Sequence, residues 1–215
     1  MKNMTKVVLA FALCLGLTGQ AFALSHSKKQ SLEVSYLSGG SYTSTLTMNG
    51  QVVSQEKDRV RGMDVNWDFH RRFCYLSWGF AARQRSVSTS RGKKDFAGLG
   101  GRVGFVTNTF EDPHRWPIGL HAYLSAVVGM MSKIDSSTYQ QDALTGFSDG
   151  DLGVDVMLHG WKSADGTKYR SALVASLDTS YESAYTTLQT KDSNPTHGVL
   201  NSGGGTTKLS LSWYW

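Results

Sequence analysis

The chain has 215 residues, with 22 Lys and Arg against 17 Asp and Glu and a formal net charge of +5. Two of the lysines belong to a predicted leader, so the mature chain holds 20 basic and 17 acidic residues and a net charge of about +3 (20 − 17). A charge this small excludes nucleic-acid binding as the working hypothesis. After the leader, no apolar stretch reaches the ~20 residues of a membrane-spanning helix. Glycine is frequent and proline is rare, which favours strands and turns.

The first 23 residues form this leader. Its lysines precede an apolar run, and Ala21-Phe22-Ala23 matches a small-x-small cleavage site, so residues 1–23 are predicted to be a secretory signal peptide cut after Ala23. Cys14 is lost with it. The mature chain then keeps Cys74 as its single cysteine, which excludes an intramolecular disulfide. Residues 24–30 are polar and lack periodicity, and they are predicted to be a short tail.

From Ser31 onward, apolar and polar residues alternate in eight segments separated by turn-like sequences. A period of two is typical of a β-strand with one apolar face and one polar face. The segments run over 31–48, 60–69, 73–85, 97–108, 117–130, 150–159, 168–181 and 205–215. The pattern predicts an all-β fold, with eight strands in one domain over 31–215.

The connections between these segments alternate between long and short. The two longest, Ser132–Asp149 and Glu182–Gly203, are polar. Bacterial outer-membrane barrels have an even number of strands, long connections on the outer side and short turns on the periplasmic side. An immunoglobulin-like sandwich is the alternative architecture, but it does not predict this alternation.

The last strand has the most complete separation of faces. Its apolar face holds Leu209, Leu211, Trp213 and Trp215, and Lys208 begins its polar face. So apolar a face needs a covering protein layer in a sandwich, or lipid in a transmembrane barrel. Five of the six tryptophans lie near the predicted short-connection ends of the strands, where aromatic rings form interfacial belts.

Together, the leader, the eight alternating strands and the terminal aromatic residue resemble the small eight-stranded outer-membrane barrels, which include outer membrane protein X and the membrane domain of outer membrane protein A. The resemblance implies an antiparallel up-and-down transmembrane β-barrel, monomeric, in the outer membrane of a Gram-negative bacterium, with residues 24–30 in the periplasm. The closing strand is similar to the C-terminal signal that the barrel-assembly machinery recognises. On that resemblance, the signal is carried by Leu209, Leu211, Trp213 and Trp215.

The polar faces of the strands would fill the barrel interior, because eight strands leave a lumen about wide enough for side chains alone. The predicted lumen network comprises Glu33, Asp64, Asp68, Arg83, Arg102, His121, Asp151, Asp155, Arg170, Asp178 and Lys208. The same faces carry Arg85, His159 and Lys168. Acids and bases are nearly balanced in this set, and unpaired buried charges are costly, so we expect ion pairs, with Arg102 and Asp155 as one pair. A narrow or gated ion path is the alternative to this polar plug.

An enzymatic role has little support in the residues. Outer-membrane lipid A deacylases resemble this architecture and use a His and a Ser two residues apart on a lipid-facing strand. Here His26 and Ser27 are adjacent in the tail, and His121 and Ser125 face inward. Asp149 and Asp151 lack the rest of a calcium ligand set. No catalytic residue, cofactor or metal site is therefore predicted.

The sequence thus predicts an integral outer-membrane protein with a structural or surface-interaction role through its extracellular loops, above all Ser132–Asp149 and Glu182–Gly203. A narrow channel is the first alternative and an outer-membrane lipid-modifying enzyme is the second. The expected partners are outer-membrane lipid, lipopolysaccharide, the barrel-assembly machinery and a host or surface ligand. The basic segment Arg91–Lys94 is a candidate contact for lipopolysaccharide phosphates or a host polyanion.

Overall fold

The protein forms one ring of eight long strands. The structure is a computed structural model, which describes residues 28–71, 75–89, 92–131, 139–191 and 193–215. The predicted leader and Cys74 lie outside these described residues. The strands are β1 Lys28–Met48, β2 Gln51–Arg71, β3 Leu76–Thr89, β4 Gly92–Val106, β5 Ile118–Met131, β6 Tyr139–Lys162, β7 Tyr169–Thr190 and β8 His197–Tyr214. β1 therefore begins three residues before Ser31, inside the segment predicted to be a tail.

Every strand pairs antiparallel with its neighbours in sequence, and β1 pairs with β8 to close the ring. The closing register sets Val34 opposite Leu211. Gln30 and Trp215 exchange two backbone hydrogen bonds, each 3.0 Å between nitrogen and oxygen, so the last residue is bonded to the start of β1. The predicted eight-stranded antiparallel up-and-down barrel is confirmed. The end of the barrel that carries Gln30 and Trp215 is called the terminal end below, and the opposite end is called the distal end.

The predicted long loops are mostly strand, so their boundaries were wrong. β1 and β2 are joined by Asn49-Gly50 alone, and both residues have positive φ (49° and 78°), as a tight hairpin turn requires. Most of Ser132–Asp149 and of Glu182–Gly203 belongs to β6, β7 and β8. Ser, Thr, Gln and Gly resemble loop residues in a sequence, but pairing in the sheet gives their backbone groups partners.

Five neighbouring strands extend beyond the other three at the distal end. β6, β7, β8, β1 and β2 have 18 to 24 residues, whereas β3, β4 and β5 have 14 or 15. The last β2–β3 pair is Arg59 with Ser88, and the last β5–β6 pair is Gly129 with Thr145. In the part of the chain that the structure describes, residues 51–58 of β2 and 139–144 of β6 therefore lie beyond the last pairs with their shorter neighbours. The distal parts of the five long strands are called the projecting wall below.

The outer face of the ring carries a wide apolar belt. Leu124 is 68% exposed and Leu152 is 60% exposed, values that a water-soluble sandwich would not leave on so many strands. The belt includes Leu32, Val34, Met63, Val65, Val103, Phe105, Ile118, Leu120, Val128, Val154, Val156, Leu177, Leu209 and Leu211. Among the described residues, no helix is long and apolar enough to cross a bilayer. The belt matches the lipid-facing band of a transmembrane barrel.

Aromatic side chains ring the belt at the terminal end. Trp161 and Trp213 stack with ring centroids 4.9 Å apart, and Phe69 stacks on Trp78 at 4.7 Å. Trp78 pairs with Phe69 across β2 and β3, so it joins the tryptophans that sequence spacing assigned to this end. All six tryptophans therefore lie near one rim, where indole rings with a polar edge favour the boundary between hydrocarbon and water.

The connection between β4 and β5 closes the lumen at the terminal end. Phe110 has a φ of 53° and is buried, with its ring 5.4 Å from that of Tyr214. Asn108 holds the bend, because its side-chain amide donates to the carbonyl of Trp116 at 2.8 Å and its side-chain oxygen accepts from the Phe110 N–H at 2.8 Å. The carbonyl of Phe110 also accepts from the ammonium group of Lys29 at 3.4 Å. The chain thus places an aromatic ring inside its own barrel mouth.

The turn between β6 and β7 is held by one carboxylate. Asp165 accepts hydrogen bonds from the hydroxyl of Ser163 and from the hydroxyl and backbone N–H of Thr167, the last two at 2.8 and 3.2 Å. These bonds favour the ionised carboxylate and hold the pKa of Asp165 at about 2, below its ordinary value. The group is exposed, so the interaction acts on the turn and leaves the barrel wall unaffected.

Candidate functional site

The interior of the barrel is the candidate site, and it holds most of the residues that the alternation assigned to it. Ten of the eleven predicted lumen residues are buried inside the ring: Glu33, Asp64, Asp68, Arg83, Arg102, His121, Asp151, Asp155, Asp178 and Lys208. They come from all eight strands, because successive strands each present alternate residues inward.

Arg170 is the exception, and its assignment to the lumen is corrected. It is exposed, because β7 begins at Tyr169 and Arg170 therefore lies at the rim. Lys168 precedes the strand and is also exposed. His159 is exposed for another reason: a register shift between Met157 and His159 changes the alternation at the end of β6.

Lys208 lies at the centre of one group of charges, called the central cluster below. Its ammonium nitrogen is 2.8 Å from an oxygen of Asp151, 3.1 Å from oxygens of Asp64 and Asp149, and 3.2 Å from one of Glu182. These four carboxylates come from β2, β6 and β7, while Lys208 is on β8. The ion pairs therefore cross the lumen and tie distant strands together.

Two arginines complete the central cluster. Arg85 donates through Nε and Nη2 to the two oxygens of Glu182, at 2.9 and 2.6 Å, and it also binds Asp64 through two nitrogens. Arg83 donates to Asp149 at 3.0 Å and to the Ser125 hydroxyl at 2.8 Å. Paired contacts of this kind suit the planar guanidinium group, so the lumen carboxylates are held in defined positions.

Arg102 lies closer to the terminal end, and its predicted partner was wrong. Its guanidinium contacts Asp68 at 3.1 Å and Glu33 at 3.3 Å, and it lies 3.6 Å from the centre of the Tyr123 ring. Asp155 is instead 2.9 Å from Nδ1 of His121. The reason is the strand order: Arg102 is on β4 and Asp155 is on β6, and the strand between them presents His121 inward.

His121 bridges two carboxylates. Its Nε2 is 3.2 Å from Asp178, opposite the 2.9 Å contact of Nδ1 with Asp155. The Ser176 hydroxyl donates to Asp155 at 2.6 Å, and the Ser210 hydroxyl donates to Asp178 at 2.7 Å. The backbone of Gly153 leaves room for this arrangement, because a Cβ there would lie 2.1 Å from Asp178 and 2.5 Å from the imidazole. The imidazole is thus fixed between two strands.

Sequence reasoning missed three lumen carboxyls, because it placed them in loops. Asp149, Glu182 and Asp58 are all buried. Each lies an even number of residues from an inward residue on its own strand, so a longer strand would have identified them. Nine carboxyls are buried against four arginine and lysine side chains, with Lys29 at the mouth. The described lumen is acidic, and the expected near-balance of charge was wrong.

Apolar side chains close the lumen on the distal side of the charges. Phe96 and Phe147 stack with centroids 5.3 Å apart, and Arg85 lies over the Phe147 ring at 5.3 Å. A second group at this end comprises Leu37, Tyr42, Val60 and Val87, and a third comprises Leu46, Leu188 and Leu200. With Phe110 at the other mouth, side chains fill the described lumen, which therefore offers no wide diffusion path.

Three of the central carboxylates have the spacing of a cation site. Oxygens of Asp64, Asp149 and Glu182 lie within 4.8 Å of one another. The ammonium of Lys208 lies 3.1 to 3.2 Å from each of them, so it already supplies the positive charge that a metal ion would bring. The arrangement serves to hold strands together and does not suit binding of a resident metal.

The residues predicted to carry the assembly signal are on the outer face. Leu209, Leu211, Trp213 and Trp215 are between 43% and 54% exposed, in the strand that closes the ring. They are accessible from the lipid side, as a signal read from outside would need. Of the basic segment at 91–94, Gly92–Lys94 begin β4, and Arg91 lies outside the described residues.

Comparison with known proteins identifies the fold. No protein-family model and no curated protein sequence matches the chain. Among solved structures, the outer membrane protein OprG of Pseudomonas aeruginosa is similar, with a TM-score of 0.52 and 8% identity over 87% of this chain and 95% of OprG. Ail, the attachment invasion locus protein of Yersinia pestis, matches with a TM-score of 0.32 and 17% identity, over 84% of this chain and 99% of Ail.

The OprG likeness agrees with the features of the molecule itself: a closed antiparallel ring, an apolar outer belt, an aromatic rim and a polar, filled lumen. Only a closed barrel or a helix can satisfy its backbone in hydrocarbon, and this chain has the barrel. The chain therefore has the fold of the small eight-stranded β-barrels of the Gram-negative outer membrane.

Proposed function

We propose that this protein is a monomeric, non-enzymatic outer-membrane barrel that does not form an open pore and presents its projecting wall at the cell surface as an interaction site. The observation that carries the proposal is the asymmetry of the barrel: among the described residues, five strands extend past the apolar belt while three end near it. The filled lumen supports a scaffold role, because its ion pairs connect the strands that bear the wall.

The orientation in this proposal places the terminal end in the periplasm. The start of β1 and Trp215 lie there, and the predicted leader would deliver the start of β1 from that side. Longer segments face the exterior in bacterial barrels, and the longer segments here are the distal strands. The segments that the sequence predicted as long extracellular loops are thus mostly parts of long hairpins, and these hairpins face the exterior as the loops were expected to do.

The projecting wall has features that favour binding of another molecule. Residues 51–58 of β2 extend beyond β3, and this strand edge has no β3 partner among the residues that the structure describes. Val52 and Val53 on this edge are 64% and 54% exposed. An open edge with exposed apolar side chains can add an extended strand from another polypeptide. The surface ligand is therefore proposed to be an extended peptide segment.

The orientation can be tested with single cysteines in a Cys74→Ser background. A membrane-impermeant thiol reagent should label Gln55→Cys in intact cells, because Gln55 is exposed on the projecting wall. Arg115→Cys, exposed in the terminal connection, is the matched control and should be labelled after the outer membrane is permeabilised. The reverse labelling pattern would overturn the proposed orientation.

The surface role can be tested by shortening one hairpin. Thr45 pairs with Gln55 and Ser44 with Glu56, so residues 45–55 can be replaced by Asn-Gly while the pairs below remain. Expressing cells should lose adherence to protein-coated surfaces, and the variant should keep heat-modifiable gel mobility as a sign of a folded barrel. Unchanged adherence of a folded short-hairpin variant would refute the assignment of binding to this wall.

The channel alternative is tested separately by planar-bilayer recording of the purified protein. We expect no discrete openings, because the apolar groups and the ion pairs fill the described lumen. Discrete, reproducible openings would favour the narrow channel over the closed scaffold. Mass spectrometry of lipid A from cells with and without the protein tests the enzyme alternative, and the expected result is identical lipid A.

A further inference from the structure

The outer face of β2 changes from apolar to basic in a single step. Met63 and Val65 belong to the apolar belt, and the next outward residues toward the distal end are Arg61, Arg59 and Lys57. We propose that these three cations, called the basic stripe, bind the phosphate groups of a phosphorylated glycolipid of the outer leaflet. This inference rests on the orientation given under Proposed function.

The geometry of the basic stripe suits a row of anions. Lys57, Arg59 and Arg61 are exposed, whereas the intervening Asp58 and Val60 are buried, so the three side chains share the outer face. Alternate residues of a strand are spaced by about 6.5–7 Å. One phosphate group can therefore lie between two neighbouring cations and accept hydrogen bonds from both.

Hydroxyl groups flank the stripe on both sides. On β1, Ser41 pairs with Arg59 and Thr43 pairs with Lys57. On β3, Ser86 pairs with Arg61. All three hydroxyl-bearing residues are on the outward side of their strands. They can donate additional hydrogen bonds to phosphate or sugar oxygens that the cations hold.

The stripe retains its charge. Within the described part of the chain, no ion pair joins any of its cations to a carboxylate. Asp58 points inward and accepts from Ser44. Asp95 is outward on β4, with Ser86 of β3 between it and Arg61, which places it about 10 Å away at two strand spacings. The surface therefore has an excess of positive charge to offer a ligand.

The position of the stripe selects an amphiphilic anion. The cations lie directly beyond Met63, where the apolar belt ends on β2, so a ligand that bears both acyl chains and phosphates can contact belt and stripe together. Arginine binds phosphate with two parallel hydrogen bonds, and these charge-assisted bonds are the stronger kind. A soluble polyanion would use the stripe alone and would gain nothing from the belt.

The test measures binding of bisphosphorylated lipid A to the full-length protein in phospholipid nanodiscs, with dephosphorylated lipid A as the comparison lipid. The test variant replaces Lys57, Arg59 and Arg61 by Gln. The matched control replaces Arg115, Lys168 and Arg170 by Gln, because it removes the same charge from exposed positions at the terminal end. We expect the test variant to bind bisphosphorylated lipid A at least about tenfold more weakly than the wild type, since charge-assisted bonds are lost, and the control to bind normally.

Equal affinity of wild type and test variant for bisphosphorylated lipid A would overturn the inference, as would equal affinity of the wild type for the two lipids. Binding of a soluble sulfated polysaccharide that lipid A does not displace would also overturn it, in favour of a polyanion site. The thiol-labelling experiment separates the two proposals: if Gln55→Cys reacts from outside while the test variant keeps its lipid A affinity, the basic stripe fails and the orientation stands.

Discussion

Removal of the Lys208 charge is the sharpest test of the closed lumen. In Lys208→Met, the methionine side chain has a volume similar to that of the lysine side chain. Four carboxylates lose an ammonium group that lies 2.8 to 3.2 Å from their oxygens. Asp64, Asp149 and Glu182 keep contacts with Arg83 or Arg85. Asp151 loses the cation that binds it most closely. The cluster then holds more buried negative charge than its two arginines can offset.

The expected cost is about 3–5 kcal/mol in the free energy of unfolding, the range found when one partner of a buried ion pair is removed. Asp151→Asn alone should cost about 1 kcal/mol, because Lys208 keeps three other carboxylates. In the double variant, the neutral amide no longer adds to the repulsion. Its cost should therefore be about 1–2 kcal/mol less than the sum of the two single costs.

The assay is equilibrium unfolding in urea with the barrel in lipid vesicles, followed by tryptophan fluorescence and by heat-modifiable gel mobility. Thr207→Met is the control, because it adds the same side chain to the neighbouring outward position of β8. It should remain within about 0.5 kcal/mol of the wild type. A Lys208→Met variant as stable as this control would refute the claim that the ammonium holds the lumen carboxylates together, and additive costs in the double variant would refute its coupling to Asp151.

Three further predictions concern the lipid-facing side of the barrel, its lumen and the turn between β6 and β7. Val154→Arg, on the lipid face, should cost about 2–4 kcal/mol in vesicle unfolding if the position is near the bilayer midplane, and equal stability would contradict its outward assignment. Gly153→Ala should cost about 1–3 kcal/mol, because the new methyl group would overlap Asp178 and the imidazole of His121; an unchanged urea midpoint would contradict that packing. Asp165 has a depressed folded-state pKa of about 2, so its stabilisation of the turn is present above pH ~4 and is lost as the pH falls toward 2. Carboxyl chemical shifts should show that midpoint, and a midpoint near 4 would contradict the hydrogen-bonded turn.

The faces of the strands were predictable because alternation is local. Within a regular stretch of strand, a residue and its second neighbour share a side, so Asp64 could be assigned inward and Val154 outward from the sequence. The ends of the strands were not predictable in the same way. Glu182 and Asp149 lie in polar stretches rich in Ser and Gly, and these became strand because neighbouring strands were present to pair with them.

The pairing of charges was beyond the sequence for a related reason. Arg102 and Asp155 both face inward, but β5 lies between their strands. His121 of β5 also faces inward, and its imidazole contacts Asp155. Arg170 has the inward parity but lies at the rim, because the start of β7 decides whether an alternating residue is inside the barrel. The first error concerns which strands are neighbours in the ring, and the second concerns position along the barrel axis; alternation encodes neither.

The order of side chains along each strand was enough to define a sheet with one apolar face and one polar face. The alternation of faces repeats every two residues and does not depend on which strand lies beside it. Which charges meet was decided by ring closure and register, which bring Lys208 of β8 against carboxylates of β2, β6 and β7. The unequal height of the barrel was likewise decided by the length over which each strand pairs with its neighbours. The exposed edge of β2 and the place of the basic stripe follow from that pairing. A register shift of one residue reverses every side chain of a strand, so contacts across the lumen depend on the assembled ring and on no single strand.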